Sequence, residues 1–216
     1  MSEQNKASEK NKWSFEQFMR KTFKVVLDPV AAFFLKLGLT PNMVTILGLI
    51  LSIVAAVFAG MGKFLVAGLI LLVGAPFDAV DGAMARQLGK PTRFGGFFDS
   101  VIDRYSELFM MGGLLYYYVG QGNKLASLLV FIAAAGSVMV SYVRARAEGQ
   151  AFTAKVGILS RVERMIALVL FLIIGKPLIA IWIIAILANF TAIQRILNVR
   201  KQAIESDSSS TRGNYD

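Results

Sequence analysis

The sequence predicts an all-α integral membrane protein, with six transmembrane helices preceded by an amphipathic interfacial helix. Three observations predict it. Hydrophobic residues fill 56% of the 216 positions and charged residues only 17%, which is too apolar for a soluble domain of this size. The apolar residues gather into six segments, each long enough to approach the roughly 20 residues that a hydrocarbon core of about 30 Å demands of a helix. Of the 23 lysines and arginines, all but Lys63, Lys124 and Lys176 fall on one side of a six-span arrangement. That asymmetry places both termini, and the loops after the second and fourth spans, in the cytoplasm.

The elements follow in order. Residues 1–12 are polar and read as a disordered lead; no apolar run follows closely enough to make a signal peptide. Across residues 13–37, Trp13, Phe15, Phe18, Phe23, Val26 and Leu27 alternate with Arg20, Lys21 and Lys24. This is the pattern of a helix lying in the membrane interface, broken near Asp28-Pro29. Residues 38–203 form the six-helix membrane domain. Leu39-Thr40-Pro41-Asn42 is a helix start, with proline where the first turn needs no N–H. The spans run from Met43 to Gly60, Phe64 to Ala85, Phe97 to Val119, Leu125 to Val143, a helix from Ser160 through Met165 to Ile174, and Leu178 to Ile193. Residues 204–216 read as a disordered polar tail rich in serine.

Composition removes several chemistries. There is no cysteine, so no disulfide framework and no thiolate. There is no histidine either, so any base or metal ligand comes from carboxylates or similar groups. The formal charge of +9 goes with anionic lipid heads or an anionic substrate, since no aromatic-basic module accompanies it to suggest nucleic acid.

Five acidic residues, Asp78, Asp81, Asp99, Asp103 and Glu107, sit in or at the ends of two apolar segments, where a carboxylate costs several kcal/mol on insertion scales. Asp78 and Asp81 are three apart, Asp99 and Asp103 four apart, so each pair shares a helix face. Both pairs lie near the cytoplasmic ends of adjacent antiparallel spans and can face each other. Four carboxylates do not ionise together without a compensating charge, and a hard divalent cation held through oxygen supplies it. Arg86, Arg93 and Arg104 are alternative counterions. Gly82, Gly95 and Gly96 allow a ligand or a helix to come close. A cation-coupled transporter also carries intramembrane carboxylates, but these cluster near one face rather than the midplane, and no inverted repeat is visible.

The run Asp78-Ala-Val-Asp81-Gly82-Ala-Met-Ala85-Arg86, then eight residues to Gly95, three to Asp99 and three to Asp103, resembles the signature of the CDP-alcohol phosphotransferases. The resemblance implies a CDP-linked lipid donor, usually CDP-diacylglycerol, with CMP released. It implies that Asp78, Asp81, Asp99 and Asp103 hold two Mg2+ or Mn2+ ions and that Asp103 also serves as general base. It implies donor contacts from Pro41, Asn42, Asp81, Gly82, Arg86 and Thr92. A homodimer is implied by the resemblance alone.

A second stretch, Ser141-Tyr-Val-Arg144-Ala-Arg146-Ala-Glu148 with Lys155, Ser160, Arg161, Glu163 and Arg164, gathers basic groups around one cytoplasmic loop. Its two readings are positive-inside anchoring and binding of a phosphate on a water-soluble acceptor. The stretch resembles the branch that makes phosphatidylinositol phosphate or archaetidylinositol phosphate from inositol phosphate. There Arg144, Arg161 and Arg164 match the acceptor-phosphate positions, although bacterial members usually carry lysine at the position of Arg144. Glycerol 3-phosphate is the alternative acceptor, giving phosphatidylglycerophosphate.

Overall fold

The computed structural model describes residues 27–89 and 92–212, with side chains as far as residue 206. The expected lead over 1–12 and the interfacial helix up to residue 26 lie outside the described residues, as do Lys90, Pro91 and residues 213–216. The described elements are all helices: α1 (residues 27–36), α2 (Pro41–Gly60), α3 (Phe64–Gly74), α4 (Phe77–Gln87), α5 (Arg93–Gly120), α6 (Lys124–Glu148), α7 (Arg161–Ile173) and α8 (Pro177–Arg212). No strand occurs among the described residues.

Four helical stretches are long and apolar enough to cross a bilayer: Pro41–Gly60, Phe64–Gln87, Lys124–Glu148 and Pro177–Ser206. The chain is therefore a multi-pass membrane protein. The other two expected segments are helices of a different character. α5 has 28 residues but carries Asp99, Asp103, Arg104 and Glu107 in its first half. α7 has 13 residues, about 20 Å at 1.5 Å per residue and shorter than the hydrocarbon core. The second expected segment is broken at Ala75-Pro76, where proline stands at the N-cap of α4. At the other end, the helix runs on to Arg212, past residue 204 where a loose tail was expected. Lys201 and Glu205, 3.9 Å apart and one turn from each other, give that extension some local support.

The chain divides into two compact units, one joining Met1–Leu49 to Ala75–Asp103, the other joining Ile50–Gly74 to Arg104–Asp216. In the first, α1, the opening turns of α2 and α4 close over Ala31, Val44, Val80, Ala83 and Met84. Phe34 and Phe77 meet with ring centroids 5.7 Å apart, and Gln87 Nε2 donates to the Asp28 carbonyl at 2.9 Å, so α1 is fixed to both ends of α4. The α2 start behaves as its sequence suggests: Thr40 Oγ1 caps the Met43 N–H at 3.4 Å, with Pro41 in the first turn.

The second unit is packed through small residues. α6 presents Ala126, Val130, Ala133, Ser137 and Val140 at alternating four- and three-residue steps, and α8 answers with Ile181, Ile184, Ala185, Ala188 and Ala192. Asn189 fills the notch beside Gly136 and donates to the carbonyls of Ile132 (3.2 Å) and Ala185 (2.8 Å). The connection between α6 and α7, residues 149–160, is strapped along α8 at three levels. Gln202 pairs with the Thr153 backbone in both directions (N–H to Oε1 3.0 Å, Nε2 to the carbonyl 2.7 Å). Arg195 Nε donates to the Val156 carbonyl at 2.9 Å, and the Leu159 N–H donates to Thr191 Oγ1 at 3.1 Å.

Candidate active site

The sequence-predicted site divides into two parts, and each part lies within one unit. In the first unit, α4 and the start of α5 bring Asp78, Asp99 and Asp103 together. One carboxylate oxygen from each lies within 4.8 Å of the other two. Asp103 is only 6% exposed. Gly48 of α2 passes close by: a Cβ there would lie 3.9 Å from Asp78 Oδ1 and 3.5 Å from Phe77 Cβ. The fourth aspartate is placed differently. Asp81, also 6% exposed, is outside this trio, and its Oδ2 accepts a 2.6 Å hydrogen bond from the Thr45 hydroxyl. The three-residue step from Asp78 puts both carboxylates on one face of α4, but Thr45 on α2 holds the second one.

The donor positions form one cavity of about 390 Å³, lined by Pro41, Asn42, Thr45, Asp81, Gly82, Arg86, Thr92, Gly95 and Asp99, among others. That volume lies within the roughly 300–1,000 Å³ of small-molecule sites. All six residues expected to touch the donor are in its wall. Asp99 belongs both to this wall and to the aspartate trio. Arg86 is exposed, one turn beyond Gly82, and a Cβ at residue 82 would sit 3.4 Å from its Nη1. Glycine at 82 therefore keeps a side chain from crowding the guanidinium. Thr92 has a structural task as well, because its Oγ1 caps the Gly95 N–H at 2.9 Å. The N-terminus of the long helix α5 contributes Gly95 and Gly96 to the cavity wall, and the helix dipole favours a phosphate there.

The residues present fit a hard divalent cation. Three carboxylates on two helices supply oxygen donors at mutual distances that one or two ions can bridge, and the chain has no histidine or cysteine to favour a softer metal.

The basic residues of the second unit are brought together only in part. Arg161 and Arg164 line a small cavity with Glu107, Ser52 and Ser106. Arg144 is outside it, on the exposed end of α6, where its Nε pairs with Glu148 at 2.9 Å. Arg164 is buried, and its Nε and Nη2 grip the two Glu107 oxygens at 2.6 and 2.9 Å. Sequence reasoning misses Thr45, Arg195 and the pairing of Glu107 with Arg164. Thr45 is one hydroxyl in an apolar helix. Arg195, only 5% exposed and bonded to the carbonyls of Val156 and Val140, reads as a positive residue at a span end. The Glu107–Arg164 pair is separated by 57 positions, and only folding joins them.

The sequence model of the family described as CDP-alcohol phosphatidyltransferase matches residues 38–194, and the chain belongs to that family. It is a transferase of the membrane. Named relatives are similar along most of their length. The chain is 36% identical over 185 residues to archaetidylinositol phosphate synthase of Pyrococcus horikoshii, covering 85% of this chain and 96% of the relative. It is 35% identical over 214 residues to phosphatidylinositol phosphate synthase of Streptomyces avermitilis, covering 92% and 87%. Among solved structures it resembles Mycobacterium tuberculosis phosphatidylinositol phosphate synthase with CDP-DAG bound. The TM-score is 0.76 at 30% identity, over 81% of this chain and 93% of that one. The same enzyme in complex with manganese and citrate matches with a TM-score of 0.76 at 30% identity, over 80% and 88%.

Proposed function

We propose that this chain transfers a phosphatidyl group from CDP-diacylglycerol to a hydroxyl of inositol 1-phosphate, giving phosphatidylinositol phosphate and CMP. The observation that carries this reading is the shared position of Asp99, which belongs both to the aspartate trio and to the wall of the donor cavity. Family membership and the named relatives support the donor and the acceptor class.

Asp78, Asp81, Asp99 and Asp103 would hold two Mg2+ or Mn2+ ions, which when bound neutralise the donor diphosphate and the charge on departing CMP. Pro41, Asn42, Gly82 and Thr92 seat the CDP portion, and Arg86 holds a phosphate oxygen through its fork of N–H groups. Asp103 takes the proton from the acceptor hydroxyl. The hydroxyl oxygen then bonds to the phosphatidyl phosphorus, and the bond from that phosphorus to the CMP oxygen breaks, with its electron pair leaving on CMP. Arg144, Arg161 and Arg164 form the basic surroundings that select a phosphate-bearing acceptor.

The deciding experiment gives purified protein CDP-diacylglycerol with inositol 1-phosphate, glycerol 3-phosphate, inositol or serine. CMP release is expected with inositol 1-phosphate, to vanish under chelation, and to return with Mg2+ or Mn2+. Indifference to chelator sinks the metal reading. Turnover with glycerol 3-phosphate alone, or with a neutral alcohol alone, sinks the acceptor. Thr45→Val removes the donor that holds Asp81. It is expected to raise the Mg2+ concentration for half-maximal rate by about tenfold or more, the scale typical of outer-shell partners of metal ligands. An unchanged Mg2+ titration would show that Thr45 does nothing for the metal site.

The same proposal includes six spans behind an interfacial helix, both termini and the site in the cytoplasm, and a homodimer. Helices at all six expected segments support the span count. Because the chain has no native cysteine, single substitutions report topology without background. Cysteines at Lys63, Lys124 and Lys176 are expected to react with an impermeant maleimide from outside intact cells, and one at Lys155 only after permeabilisation. Labelling of Lys155→Cys from outside would reverse the orientation.

A further inference from the structure

The donor cavity changes character from floor to rim. Asp81 and Thr45 in its wall are buried, whereas Thr40, Leu88 and Thr92, all at helix ends, are exposed. On α4 the wall residues Asp81 and Ala85, with Leu88 just past its last turn, follow at steps of four and three, so they share one face. Leu88 lies seven residues beyond Asp81, about 10 Å along the axis at 1.5 Å per residue. Ala85 between them keeps that face low. Gly89, with φ at 63°, donates its N–H to the Arg86 carbonyl at 3.1 Å and ends the helix, which leaves Leu88 at the rim. Among the described residues of this wall, Leu88 is the single large aliphatic side chain. It is 49% exposed and belongs to neither hydrophobic core cluster, so the fold leaves half of it uncovered.

A nucleoside diphosphate matches this gradient. Its diphosphate goes to the end where Asp81, Asp99 and Arg86 gather, and a ribose and a pyrimidine span roughly the distance from Asp81 to Leu88. A pyrimidine has polar edges and an apolar face. Thr40 Oγ1 and Thr92 Oγ1 each accept a backbone N–H, and each hydroxyl retains a hydrogen to donate to the acceptors on a cytosine edge. The face needs an apolar partner, and Leu88 supplies it. We infer that Leu88 binds the donor through its cytosine, by covering one face of the base at the rim of the cavity. Leu88 falls in the eight-residue spacer between Arg86 and Gly95, outside the fixed positions of the signature. The inference rests on the reading of the donor as a CDP-linked lipid.

The test compares wild type with Leu88→Ala and Leu88→Met, and reads inhibition by free CMP beside the KM values for CDP-diacylglycerol and inositol 1-phosphate. CMP carries the base and no acyl chain, so it separates the two ends of the donor. Leu88→Ala is expected to raise both the CMP inhibition constant and the KM for CDP-diacylglycerol about fivefold, the scale of re-covering half a leucine side chain. The KM for inositol 1-phosphate is expected to stay within about twofold. Leu88→Met keeps the apolar volume and is expected to recover most of the lost CMP affinity. A rise in the KM for CDP-diacylglycerol with unchanged CMP inhibition overturns the inference, because Leu88 then meets the acyl portion. Unchanged values throughout overturn it, as does a parallel rise in the KM for inositol 1-phosphate. Loss of monodisperse protein in Leu88→Ala overturns it too, since Leu88 is then a packing residue. Wild type that CMP does not inhibit overturns the donor reading itself, and with it this inference, before any variant is made.

Discussion

Asp103→Asn is expected to lower kcat for CMP release by about a thousandfold or more, while the protein remains folded and extractable. The substitution keeps the shape of the side chain but removes both its charge and its capacity to take a proton. A positioned general base contributes about 10²–10⁴-fold, and a residue that also ligates metal belongs at the upper end. Asp103 is 6% exposed and shares its trio with Asp78 and Asp99, so bulk water cannot readily substitute for it. A comparison with Asp78→Asn separates the two duties. Loss of a ligand alone is expected to be partly restored by raising Mn2+, whereas loss of the base is not. A rate within tenfold of wild type in Asp103→Asn, measured with saturating metal, would remove Asp103 from the chemistry.

The largest expected effect on stability is at Gly113. A Cβ built there would lie 2.2 Å from the carbonyl oxygen of Ala56 and 2.8 Å from its carbon. Both contacts are to backbone, which cannot rotate aside as a side chain does. Gly113→Leu is therefore expected to force α5 away from α2 within the second unit, at a cost at or above the roughly 1–3 kcal/mol typical of overpacked sites. The neighbouring Gly112 is the control, because a Cβ there meets nothing within 4 Å. Gly112→Ala is expected to leave thermal unfolding in detergent unchanged or slightly higher, in line with helix propensity. Equal melting temperatures for Gly112→Ala and Gly113→Leu would show that the close crossing does not constrain the fold.

Much of the architecture was legible because membrane helices announce themselves locally. Each apolar segment read from the sequence is helical, the second as two helices, and Thr40-Pro41 starts α2 by the chemistry its residue types dictate. The aspartate cluster was legible for the same reason: a carboxylate in apolar company needs a partner, and helical spacing shows which ones share a face. What escaped depends on contacts between distant positions. Asp81 is held by Thr45, 36 residues earlier, and Arg164 by Glu107, 57 residues earlier. No periodicity carries that information. The break at Ala75-Pro76 was visible as a proline, yet proline occurs within membrane helices often enough that its position alone does not end one. The continuation of α8 to Arg212 was missed because a serine-rich run has low intrinsic helix propensity.

The strap along α8 has an evolutionary consequence. Gln202, Arg195 and Thr191 hold the 149–160 connection chiefly by its main-chain atoms, at Thr153, Val156 and Leu159. Main-chain atoms are the same whatever residue carries them. Most side chains on this connection, Lys155 included, can therefore be exchanged without loosening its anchorage. Such a segment can drift toward new partners while the helices beneath it stay as they are.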